Sequence, residues 1–213
     1  MIGLYIMGER SHLQIGGEPW YSKSINDEDP IDISIIRLNK EWAANLKKKR
    51  ILTDNDESNY FNYKFLTLSD LELNHSPEFN SEVDNYMTLG YPASINKQIP
   101  TKEKTYNLKP HYIITRLIKP ENNENLNLIA LRKNKMYRVN DNKKVMSPAP
   151  WGISGGGLFH MNKVNQTIKL IGILKFNDRN NLIATKIDFY VKILRDRFNL
   201  MTLPNPAIQI NYT

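Results

Sequence analysis

The chain has 213 residues, 40% hydrophobic and 24% charged, with 29 Lys and Arg against 22 Asp and Glu and no cysteine. Such a balance suits one substantial core or two small ones and excludes disorder as the default state, and the absence of cysteine excludes disulfide or thiolate chemistry and fits a reducing cytoplasm. No run approaches the ~18 apolar residues of a membrane span, and the first residues lack the basic flank and cleavage site of a signal peptide.

In chain order, short β-branched and aromatic runs separated by polar turns predict an all-β chain, barrel or sandwich. The expected strands are residues 4–7, 12–15, 31–38, 65–68, 86–90, 112–117, 126–132, 157–160, 168–176 and 182–187. A short helix is expected over 40–49, where Trp42, Leu46 and Lys49 share a face. A second is expected over 188–197, with Asp188 capping its first turn and Phe189, Ile193 and Phe198 along one side. From Pro204 no pattern is clear, and an extended tail is expected. The Asn-rich stretches 54–62 and 121–127 read as loops. A division into two β-rich halves, 1–98 and 99–203, is expected near the loop 95–109.

The formal charge of +7 raises the question of an acidic partner. Only Lys47-Lys48-Lys49-Arg50 is dense. It falls at the end of the expected helix, where cations complement the helix dipole, and it lacks interleaved aromatics, so nucleic-acid binding is the minority reading.

The strongest local signal is Trp151-Gly152-Ile153-Ser154-Gly155-Gly156-Gly157-Leu158-Phe159. Four of the ten glycines surround one serine, which requires a tight or closely approached backbone. A serine hydroxyl is a weak nucleophile, and acyl transfer needs a base for its proton and donors for the oxyanion. Gly152 lets the chain turn so that the amides of Gly152 and Ser154 can point into one oxyanion hole. The bland alternative is a glycine-rich turn with an incidental serine.

This loop resembles the nucleophile loop of the trypsin-like, chymotrypsin-fold serine peptidases, especially bacterial cysteine-free members. Four further segments match in the family's order. Asp29-Pro30-Ile31-Asp32-Ile33-Ser34-Ile35-Ile36-Arg37-Leu38 is similar to the strand carrying the triad aspartate, and Leu89-Gly90-Tyr91-Pro92-Ala93-Ser94 to the Gly-Tyr/Phe-Pro segment. Lys169 to Phe176 is similar to the substrate-lining strand. Leu182 to Ile187, followed by a helix, is similar to the last strand and C-terminal helix. The resemblance implies a double β-barrel, the first incomplete, and a serine endopeptidase with Ser154 as nucleophile and Asp32 as the orienting carboxylate, Asp29 being second choice. It implies Gly152 and Ser154 as the oxyanion hole and Pro148, Leu174, Phe176 and Leu182 as substrate-binding. Pro148 stands where trypsin itself carries a carboxylate, and Leu182 replaces a pocket glycine, so small apolar side chains are expected in the substrate rather than Lys or Arg. Ile153 replaces the acidic residue that pairs with the new N-terminus of secreted zymogens. No metal or organic cofactor is implied, and the expected partners are a peptide or protein substrate and an activating protein.

The family's histidine stands in a Thr-Ala-Ala-His strand well before the aspartate, and no Ala-His pair occurs here. His12, the one histidine before Asp32, is the candidate base. His160 is six residues past Ser154, about 20 Å along an extended strand at ~3.3 Å per residue, too far to turn back onto the hydroxyl. His75 and His111 are expected at the surface. Either an upstream segment carries the histidine, the favoured expectation, or the chain is a degenerate peptidase used as a peptide-binding or regulatory module.

Overall fold

The computed structural model describes residues 3–4, 13–14, 17–21, 34–40, 50–51, 61–62, 66–77, 79, 85–95, 110–119, 127–132, 135–137, 143–177 and 181–207. His12, Asp29 and Asp32, the helix expected over 40–49 beyond Lys40, and the basic run 47–49 lie outside the described residues. The chain divides into two compact units, one of Met1–Leu66 with Gln98–Asn107 and the other of Thr67–Lys97 with Leu108–Thr213. The second unit takes in residues 67–97 as well as most of those beyond the expected division at residue 98.

In the first unit the described strands form three antiparallel pairs. They are β1 (Gly3–Leu4) with β2 (Leu13–Gln14), β3 (Gly17–Tyr21) with β4 (Ser34–Leu38), and β5 (Arg50–Ile51) with β6 (Phe61–Asn62). Strand β3 was not expected, because Gly17 and Pro19 disguise it. Among the described residues β3 pairs only with β4, and an outer edge tolerates proline's missing donor.

The second unit is built on one seven-stranded antiparallel sheet. Its members are β7 (Tyr86–Gly90), β8 (His111–Thr115), β9 (Leu117–Ile118), β10 (Asn127–Leu131), β13 (Gly157–Asn162), β14 (Thr167–Asn177) and β15 (Asn181–Lys186), in the order β8-β7-β13-β14-β15-β10-β9. A separate pair joins β11 (Lys135–Tyr137) to β12 (Lys144–Met146). The first and last members of the large sheet, β8 and β9, are one chain segment interrupted only at Arg116, so the sheet curls until its two ends meet. Leu131 N–H donates to the Arg116 carbonyl (2.9 Å) and the Thr115 hydroxyl to the Leu131 carbonyl (2.6 Å), which fastens the corner.

The period-2 alternation that identifies these strands also makes the core. Tyr86, Leu128, Ala130, Leu158, Leu174, Leu182 and Ala184 turn into it, Ile171 reaches it where the β13–β14 register shifts opposite Leu158 and Phe159, and Ile153 joins them from the glycine-serine loop. The helix α1 (Ile187–Phe198) follows β15 directly and buries Ile187, Phe189, Val191 and Ile193. Arg195 and Arg197 occupy its last turn, and Asn199 ends it in the left-handed conformation.

Three expectations are corrected. Residues 66–68 are not strand: a short 3-10 turn, η1 (Leu68–Asp70), stands there, closed by the Thr67 N–H donating to the Asp70 carboxylate (2.8 Å). Leu66 and Leu68 are exposed, so the apolar run concealed a Thr-x-x-Asp turn signal. Asp188 does not cap its helix: buried, it accepts the Asn74 N–H (2.7 Å) at Oδ1, and the N-cap position is Lys186. Residues 204–207 are not a loose tail, since Pro206 is buried and the Ala207 N–H donates to the Asn74 side chain (3.1 Å).

Candidate functional site

The glycine-serine loop connects β12 to β13 and is held from three sides. Ile153 is its anchor, 3% exposed and packed against Gly90 at the end of β7. The chain leaving β7 supplies a second hold, since the Ala93 N–H donates to the Trp151 carbonyl (2.6 Å) and the Ser94 hydroxyl to the Ala149 carbonyl (3.1 Å). Strand β14 supplies the third: Gly155 N–H donates to the Leu174 carbonyl (2.7 Å) and Leu174 N–H to the Gly156 carbonyl (2.8 Å). The Gly-Tyr-Pro segment and the Gly-x-Ser-Gly-Gly loop, far apart in sequence, are therefore one structural unit.

Two glycines are required by backbone conformation. Gly152 and Gly155 both have φ of +83°, a region that L side chains rarely adopt. Gly156 is required by space, because a Cβ there would run into the Leu89 carbonyl oxygen and lie 2.8 Å from that of Ile153. Between the two positive-φ glycines Ser154 is exposed, and among the described residues no backbone carbonyl accepts the amides of Gly152 or Ser154. Trp151 and Tyr91, 72% and 50% exposed, give the surface beside the loop an aromatic character.

The Ser154 hydroxyl donates to the Lys175 carbonyl (2.6 Å). Strand β14 bulges at that point: Leu174 pairs with Ala184 and Phe176 with Ile183, and the register shifts between them. Bulges commonly redirect a strand beside a site.

The other expected site residues separate. Pro148 is half-buried on the approach to the loop. Leu174 and Leu182 are each 1% exposed and belong to the core, and the Leu174 backbone bonds the loop. The Phe176 side chain, like His12 and Asp32, lies outside what is described.

The described histidines are partly buried. His111, at the start of β8, has its Nε2 sealed from solvent without a hydrogen-bond partner, and burial pushes its pKa below the ordinary value. His75 and His160 meet around Glu72. His75 Nδ1 is 3.1 Å from Glu72 Oε1, His160 Nδ1 is 2.8 Å from Oε2, and the two rings lie 4.5 Å apart between centroids. Burial pushes the Glu72 carboxyl up, but the hydrogen bonds and charges of His160 and His75 outweigh it and hold the group below its ordinary value. Tyr86 completes the group, its hydroxyl 3.1 Å from His75 Nε2.

The fold explains this convergence. Tyr86 and His160 are direct partners on β7 and β13, which puts their side chains on one face. Leu71 bridges to Leu170 and the Glu72 N–H donates to the Leu170 carbonyl (3.0 Å), so Leu71 and Glu72 lie against the part of β14 that precedes its pairing with β15. The three-residue spacing of Glu72 and His75 was the available sequence signal; the distant His160 was not readable as their neighbour. No family model and no curated protein matches the chain.

Proposed function

We propose that the chain is a trypsin-like serine endopeptidase of the chymotrypsin fold, in which Ser154 attacks a peptide carbonyl and an acyl-enzyme is then hydrolysed. The observation that carries this reading is the glycine-serine loop: an exposed hydroxyl on a turn braced by two positive-φ glycines, with the Gly152 and Ser154 amides uncommitted to backbone carbonyls among the described residues. Those amides are the donors an oxyanion needs. The curled sheet supports the assignment of residues 99–203 as the fold's second barrel, with β7 added to it. By the resemblance Asp32 is the proposed orienting carboxylate and His12 the candidate base; His75 and His160 are engaged by Glu72. The assigned setting is cytoplasmic and bacterial.

A second reading has its own observation. The Ser154 hydroxyl is given to a carbonyl, the arrangement of a serine that is not being deprotonated. On this reading the loop binds peptide without cleaving it, as a triad lacking its base retains its groove. A fluorophosphonate probe separates the two. Labelling of the unaltered chain that disappears in Ser154→Ala supports the endopeptidase; no labelling, with peptide binding retained, replaces it by the binding module.

A further inference from the structure

Outside the glycine-serine loop, the second unit assembles a group that peptide chemistry does not use. We propose that Glu72, His75 and His160 are the protein ligands of a divalent transition-metal ion of the zinc class, which fastens residues 71–75 to β13.

One ligand atom from each of the three side chains can be chosen so that all lie within 4.8 Å of one another. A tetrahedral zinc shell with bonds of ~2.0–2.2 Å has edges of about 3.3 Å. The two nitrogen–oxygen separations of 2.8 and 3.1 Å are those of shared protons, and an ion in the protons' place needs only side-chain adjustment. The donor chemistry selects the metal: two imidazoles and one carboxylate suit zinc-like ions, whereas calcium and magnesium take oxygen ligands.

An independent feature is the support behind His75. Its side chain is 9% exposed, and its far nitrogen faces the hydroxyl of Tyr86, itself 2% exposed. A metal-bound histidine characteristically directs its second nitrogen to an oxygen, which fixes the tautomer and leaves the other nitrogen bare. With a metal bound, Nε2–H would donate to the Tyr86 hydroxyl and leave Nδ1, which faces Glu72, bare for the ion. The Glu72 and His160 side chains are 30% and 18% exposed, leaving water access for a fourth ligand. The competing account is a metal-free network in which Glu72 shares protons with both rings.

The test uses the full chain, stripped with a chelator and titrated with Co2+ and then Zn2+. The expected result is one equivalent of Co2+ with the intense visible bands of four-coordination, displacement by Zn2+, and a raised melting temperature. His75→Asn and His160→Asn each weaken binding about 100-fold, and Tyr86→Phe about 10-fold. Absence of such bands and an unchanged melting temperature at tenfold excess Zn2+ overturn the proposal, as does undiminished binding by the His75→Asn, His160→Asn double variant. If a variant fails to fold, the titration of the unaltered chain decides. Labelling at Ser154 is independent of either result.

Discussion

Gly156 lies so close to the Leu89 and Ile153 carbonyls that a single methyl group cannot be added without moving backbone. Gly156→Ala is therefore expected to destabilise the second unit by about 3 kcal/mol or more, at the upper end of overpacking effects, measured by chemical denaturation. Trp151 differs because it is 72% exposed and supports little of the core. On the peptidase reading its ring lies where substrate residues pass, so Trp151→Ala should leave the denaturation midpoint nearly unchanged while raising KM for an apolar peptide several-fold. Equal KM values would remove the ring from the substrate path. These two residues are adjacent to the same serine, yet one acts through space it must not fill and the other through surface it exposes.

At the scale of elements, the loop is positioned by Ile153, which connects it to the sheet core, and by the β14 bulge at Lys175. Ile153→Ala should cost about 2–5 kcal/mol, the range for large buried aliphatic truncations, and should reduce any Ser154 labelling rate because the hydroxyl loses its anchor. The strands of this unit were legible because alternation is a local property: residues 86–90 match β7, and the ends of β10, β13, β14 and β15 differ from expectation by one or two residues. What could not be read were features set by partners distant in sequence. The bulge depends on the register between β14 and β15. Asp188 has the residue type and position of a helix cap, but the Asn74 N–H, 114 positions away, takes its oxygen. The glycine-serine loop was legible as a tight turn because its composition permits little else. Its hydroxyl's acceptor was not legible, and neither was the convergence of Glu72, His75 and His160.

For the whole molecule, net charge of +7 sets a background of self-repulsion that grows as carboxylates protonate, and the shifted groups act in the same direction. His111 is pushed below its ordinary value by burial. Asp196 is held low first by its hydrogen bond to Lys192, against some burial, and then by Arg195. Burial opposes the lowering of Glu72, but its two histidines prevail. In each case the folded state binds fewer protons than the unfolded chain across the window between the two pKa values, so stability rises with pH there. The His111 contribution is complete above about pH 6.5 and is lost as pH falls toward its lowered folded value, whereas the carboxylate contributions are lost below about pH 4.5. Melting temperature should therefore fall in two stages between pH 7 and pH 3. His111→Gln should flatten the upper stage and leave the lower one, because the carboxylates are untouched. A stability profile that rises on acidification from pH 7 to pH 5, or an upper stage unchanged in His111→Gln, would show that His111 does not bury its neutral form as the geometry at the start of β8 requires.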